Sequence, residues 1–336
     1  MARGRRRARA RRAYRLLRWP VAALGLLVVL SGAVLAVQGL LAARDLREAD
    51  DRLGALTAAA TQPDQVAALP GLLAQAQESA RSAAGRTDGP LWRAWSRAPL
   101  VGGTVTTAAG TAREVDRLTA TVLPPVLEGV RALPGLRDAT GRVDLALLAG
   151  QAPVLRQAQA DAAATRDRLR ALPEPRVREV VDGRAELVDR LTDFESQLAG
   201  LSAAAEAGPG LLGAQGPRRY LLLVQNNAEA RASGGIVGAY GVLSATDGRL
   251  VLEDVGPGSE LVPTAGPVVD LGPEYARRYA RLGALQDWRE LTATPDFPSA
   301  AQVALALWRE TRGEQLDGVV SVDPVALADV LQAVGP

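Results

Sequence analysis

The 336-residue sequence contains no cysteine and no histidine, and all 39 of its basic residues are arginine, so it contains no lysine either. Without cysteine there is no disulfide, no thiolate nucleophile and no Cys-ligated metal. Without histidine there is no imidazole base and no zinc site of the usual kind. The missing lysine removes three more devices: a phosphate-cradling loop ending in Gly-Lys-Ser/Thr, a Schiff-base lysine and a Ser/Lys dyad. Aromatic residues make up only 4% of the chain, too few for base-stacking surfaces, and no basic aromatic motif occurs, so nucleic acid is not expected as a partner. Any chemistry must come from carboxylates, arginine, hydroxyls, amides, backbone dipoles, or a hard cation on oxygen ligands.

What is present is unevenly distributed. Residues 1–42 hold nine arginines and no acid, leaving 30 arginines against 37 acids, a balance of −7, in the remainder. Residues 1–18 therefore read as an Arg-rich cytoplasmic tail. It runs into an uncharged 25-residue stretch, Trp19 to Ala43. A bilayer core needs about 20 apolar residues as helix, so residues 19–43 read as a transmembrane anchor with the bilayer as partner. A cleaved signal peptide is the alternative, with Val34 and Ala36 as a small-residue cleavage site, but its apolar core would be only about 7 to 15 residues. Arginines on the N-terminal side place that end in the cytoplasm and the bulk of the chain outside, with Trp19 at the interface.

From residue 44 to 207 the apolar residues fall three and four apart, as in Leu155, Ala158, Ala162, Thr165 and Leu169, and in Leu187, Leu191, Phe194, Leu198 and Leu201. Such spacing puts them on one stripe of a helix. Breaks at Pro63, Pro70, residues 87–90 and 99–103, Pro124-Pro125, residues 133–135 and 172–175 divide the region into four to six helices. The expected result is an all-α stalk or bundle whose stripes form an intramolecular core rather than an oligomer seam. Trp92 and Trp95, beside Arg93 and Arg97, share a helix face and either plug the bundle or lie along the outer membrane surface.

At about residue 208 the composition changes, as at a domain boundary. Leu221 to Val224 reads as a strand buried on both faces. Residues 236–245, Asp247-Gly248 and the run from Arg249 read as a hairpin with a two-residue turn. Helices follow at 273–283 and 298–313, then a strand at 317–323 and a helix capped by Asp323-Pro324. The fold class is α+β or α/β: transmembrane helix, helical stalk, then a mixed α/β sandwich over residues 208–336.

The candidate site is Asn226, Asn227, Glu229, Arg231, Gly234 and Gly235, read as a loop directly after the buried strand. Strand ends are where open α/β sheets bind ligands. The amides of Asn226 and Asn227 suit an anion or sugar, Arg231 offers a two-pronged donor to phosphate, and the glycines allow close backbone approach. Glu229 is the candidate base or cation ligand, and Asp296 closes the pocket or caps the helix after it. On the structural alternative the asparagines satisfy loop backbone, Glu229 pairs with an arginine and the glycines make a tight turn. Both readings stay open.

The stretches YLLLVQNNAEARASGG, TPDFPSAAQVALALW and DGVVSVDPVALADVLQAVGP, with the anchor and PLWRAWSRAPLVGG, resemble the actinobacterial envelope family known as domain of unknown function 4012. That resemblance implies location and architecture rather than a reaction. The strand ending in a polar cluster, the nearby arginine and the later DGVVSVD strand are also similar to the LytR-CpsA-Psr enzymes, which transfer glycopolymers from polyprenyl diphosphate carriers using arginines and magnesium-bound carboxylates. By that second resemblance Arg231 would hold diphosphate and Glu229 magnesium, although Asn226 and Asn227 stand where that family would place Asp. Three functions follow: an envelope module binding an anionic ligand in cell-wall or exopolysaccharide assembly, with a polyprenyl-phosphate-linked glycan or polysaccharide as partner; a glycopolymer transferase; or a scaffold. Both resembled families continue past LQAVGP, so a C-terminally incomplete domain is expected.

Overall fold

A computed structural model describes residues 2–60, 62–326 and 328, with side chains for 24–60, 62, 64–326 and 328. The side chains of the Arg-rich tail and of Trp19, and the closing LQAVGP, lie outside those residues. The chain forms two compact units: Met1–Pro134 with Gly150–Ala204, and Gly135–Ala149 with Ala205–Pro336. The second unit is thus built from two separate stretches of the chain, the shorter of them lying between helices of the first.

The first unit is helical: α1 (Ala2–Ala60), α2 (Leu69–Thr87), α3 (Pro90–Trp95), α4 (Gly102–Arg117), α5 (Leu123–Ala132), and most of α6 (Leu145–Arg170) and α7 (Arg178–Leu211). Within α1, Leu24–Ala60 has a window of mean hydropathy 2.3 and is long and apolar enough to cross a membrane. Its apolar side chains face outward, Val29 at 67% and Leu40 at 72% exposure. The stripes on α6 and α7 meet inside the unit, where Ala158, Ala162 and Leu169 pack with Leu191, Leu198, Leu118 and Val122. Each buried Leu or Val contributes about 1.5–3 kcal/mol to that core. The last stripe member, Leu201, is exposed.

Prolines interrupt less than expected. A π turn, Leu118–Val122, links α4 to α5, and Pro124 and Pro125 lie in the first turn of α5 directly after it, where Gln77 Nε2 donates to the Thr119 carbonyl at 2.8 Å. Pro153 and Pro209 lie within α6 and α7. The expected breaks at Pro63 and at residues 87–90, 99–103, 133–135 and 172–175 do occur.

The second unit holds a four-stranded mixed sheet, β1 (Arg218–Arg231), β2 (Gly234–Thr246), β3 (Arg249–Pro257) and β4 (Gly318–Val322), in the order β3-β2-β1-β4. β1 pairs antiparallel with β2 and parallel with β4. Contrary to burial on both faces, only alternate β1 residues, Leu221 and Leu223, are fully buried, while Leu222 and Val224 are half-covered. The buried face packs with α9 (Phe297–Arg312) through Val303, Leu307 and Trp308, joined by Trp288 and Tyr240. α8 (Pro273–Tyr279) brings Tyr275 against that core. The β2–β3 turn is the expected Asp247-Gly248, both at positive φ (48° and 81°), which matches strand twist.

Asp317 pins β4 to β1, accepting from Arg219 N and Arg218 Nη1, both at 2.8 Å. These bonds, the backbone one foremost, hold its carboxyl below the usual range. A depressed folded-state pKa means stability that is complete above the unfolded value and lost as pH falls through the folded one. Thermal unfolding of wild type beside Asp317→Asn should therefore show a gap at pH 7 that narrows below about pH 4. A gap unchanged down to pH 3 would deny Asp317 this role.

Candidate functional site

The polar cluster is a bulged hairpin, not a loop after a finished strand. β1 and β2 stay paired to their tip, joined through Ala232 and Ser233, with Asn226 opposite Ile236, Ala230 opposite Gly235 and Arg231 opposite Gly234. Asn227, Ala228 and Glu229 have no partner on β2 and form a three-residue bulge. Asn226 begins it, its Oδ1 accepting from Ala228 N at 3.1 Å in an Asx-type turn. The two glycines allow chains to approach each other. A Cβ on Gly235 would strike the Asn226 carbonyl, and Gly234, at φ 128°, would strike the Gln225 carboxamide.

The hairpin tip is tied to the 3-10 turn Leu291–Ala293, since Ser233 N and Oγ both donate to Thr292 O, at 3.2 and 3.3 Å. Arg231 faces the residue before that turn: its Nη2 lies 3.5 Å from Glu290 Oε1, a distance at which little hydrogen bonding remains. Arg231 Nε, Gln225 Nε2 and Thr292 Oγ1 are all shut off from solvent with no hydrogen-bond partner among the described residues. Gln225 is 5% and Thr292 0% exposed. A buried polar group left unpaired costs about 1–3 kcal/mol, so three beside one hairpin tip mark a place that wants an acceptor.

The other predicted residues stand apart from this tip. Asn227 lies by Asp323, whose carboxyl is held below its ordinary range chiefly by the Ala326 N–H it caps and to a lesser degree by the Asn227 side chain. Glu229 is exposed and makes no hydrogen bond or ion pair among the described residues. No group of three or more acids that could hold a metal ion occurs among the described residues. Asp296 caps α9, accepting from Ser299 N at 3.1 Å and Ser299 Oγ at 2.5 Å.

Sequence reasoning missed Gln225, Glu290 and Thr292. A signal for Gln225 was available: it continues the inward parity of Leu221 and Leu223, where a carboxamide is out of place. Thr292 and Glu290 lie some 60 residues from the hairpin and carried no local sign.

In two further groupings of the second unit the charged side chains have partners, although the Trp308 Nε1 in the second is buried without one. A cleft of ≈550 Å³ contains Asp138, Arg142, Asp144 and Asp247. Asp138 accepts from Thr140 and Arg142, Asp144 from Ala146 N and Leu147 N, and Asp247 pairs with Arg142. On the sheet, Arg312 lies 5.3 Å from the rings of Tyr240 and Trp308 and donates to Tyr240 Oη at 2.7 Å, while Tyr240 donates to Glu260. Burial pushes the Tyr240 hydroxyl pKa up, so it stays a protonated donor.

No curated protein and no solved structure matches the chain. Residues 215–336, which hold the hairpin, the Leu291–Ala293 turn and all four strands, match the model of the family described as "Protein of unknown function (DUF4012)".

Proposed function

We propose that this is a single-pass membrane protein, N-terminus in the cytoplasm, whose second unit binds an anionic envelope ligand outside the membrane at the β1–β2 hairpin and serves cell-wall or exopolysaccharide assembly. The observation that carries the binding reading is Arg231, with its Nε buried and without an acceptor and its Nη2 only loosely held by Glu290. A phosphate would take both prongs of the guanidinium, displace Glu290 and supply acceptors to Gln225 Nε2 and Thr292 Oγ1. The anchor reading rests on the apolar α1 with nine arginines and no acid in residues 1–42.

Native mass spectrometry of the full chain in mild detergent, wild type beside Arg231→Ala, tests this. A co-purified polyprenyl phosphate or phosphorylated glycan is expected on the wild type. Losing one charged donor should weaken it about ten- to a hundred-fold, enough to empty the variant. Equal occupancy in both, or none in either with both folded, would rule out the Arg231 site.

A further inference from the structure

We propose that α3 and the turn after it, residues 90–101, form a foot resting in the outer leaflet of the membrane against anionic phospholipid headgroups. This rests on the anchor reading of α1. Two indoles lie along α1: Trp92 Nε1 donates to Gln38 Oε1 at 2.9 Å, and Trp95 Nε1 to Ser31 Oγ at 3.3 Å. Beneath them are glycines, with Trp95 ring carbons 3.4 Å from where a Cβ on Gly32 would stand and Trp92 3.9 Å from that of Gly39. Gly32 and Gly39 are two helical turns apart, so they form a flat track on one face of α1.

The depth of that track follows from length. About 20 residues at 1.5 Å each cross the hydrocarbon core, so a span starting at Trp19 reaches the outer boundary near Gln38. Trp92 therefore sits at that boundary. Trp95, docked seven residues earlier on α1, reaches about 10 Å below it, the depth to which interfacial elements bury their apolar face. The chain then turns at Leu100, 73% exposed at φ 75°, followed by Val101 at 41%. In water these side chains are uncovered apolar surface; among acyl chains they are matched.

Charge completes the pattern. Arg93 and Arg97 are exposed on the same short segment and have no acidic partner among the described residues; Arg97 Nη1 reaches only Arg93 O, at 2.9 Å. Their long stems let the guanidinium groups rise to phosphate level while the indoles stay below. Lipid is favoured over a second copy or another protein as occupant because the exposed apolar surface is continuous with that of the span.

The absence of native cysteine makes a spin-label experiment direct. Single variants Val29→Cys, Leu100→Cys, Val101→Cys and Ser196→Cys of the full chain would each carry a nitroxide in nanodiscs of phosphatidylcholine and phosphatidylglycerol. Collision rates with oxygen, which prefers lipid, are compared with those of a water-soluble nickel chelate. Val29, Leu100 and Val101 should favour oxygen, and Ser196, exposed on α7, should favour nickel. Lipid-like Val29 with nickel-accessible Leu100 and Val101 would overturn the foot and leave the anchor standing. A nickel-accessible Val29 would overturn both. Labels at Leu100 and Val101 shielded from both reagents would show a protein contact there and overturn the lipid assignment.

Discussion

Trp308→Ala will weaken the second unit by about 3–5 kcal/mol, the range for removing a buried tryptophan from a close-packed core. The side chain is 1% exposed, edge-on to Tyr240 at 5.6 Å and to Trp288 at 6.5 Å, and under the Arg312 guanidinium. Its loss opens a cavity between α9 and the sheet and also removes the aromatic support of Tyr240, so the neighbouring side chains cannot simply close in. Amide hydrogen exchange in the full chain is the suitable readout, because two units need not unfold together. The slowest amides of β1, β2 and α9 should exchange faster by about a hundred-fold or more, while those of α2 and α6 keep their wild-type rates. A change under about tenfold would mean that the sheet's buried face is held elsewhere.

Gly235→Ala is the second large effect. A Cβ there meets backbone atoms of Asn226 and Asn227, and backbone has no rotamer into which it can retreat. Overpacking of this kind costs about 1–3 kcal/mol. The strain falls on the bulge, so relief means shifting the Asn226 to Ala230 register and moving Arg231 from Glu290. Exchange should rise at Asn226–Ile236, and any ligand that Arg231 retains should be lost as well. Gly266→Ala, at a glycine with nothing within 4 Å of the added carbon, should stay within about 0.5 kcal/mol of wild type. Equal behaviour of the two variants would contradict the tight hairpin.

Much of the architecture was legible in the sequence because it is written in local periodicity. The three-and-four spacing of Leu187, Leu191 and Leu198 places them in the helical core, and Asp247-Gly248 between apolar runs makes its turn with both residues at positive φ. The hairpin was less legible for a physical reason. Alternation holds from Leu221 through Gln225 and then stops, because Asn227, Ala228 and Glu229 leave the ladder and their side chains no longer obey a period of two. A polar run without periodicity reads as a loop, although here it interrupts a strand that resumes at Ala230. Prolines misled in the opposite direction: Pro124 and Pro125 lie in helix that continues from α4 through the Leu118–Val122 π turn, so an apparent terminator is absorbed by a local change of winding.

The meeting of Arg142 with the β2–β3 turn sets an order of events on the growing chain. Residues 135–149 belong to the second unit, where Val143 N donates to Gly248 O at 2.9 Å and Arg142 Nε to Asp247 O at 2.8 Å, a partner 105 positions later. At about 5–20 residues per second, that segment waits on the order of ten seconds for the turn to emerge from the ribosome. The helices from Gly150 to Ala204 are made during the wait, so every residue of the first unit has been made while residues 135–149 still lack their partner strands. A fragment beginning at residue 215 would carry every strand of the sheet but leave behind Val143, whose carbonyl lies where a side chain on Gly248 would have to go. The boundary of the recognisable family and the boundary of what folds together are thus different places on this chain.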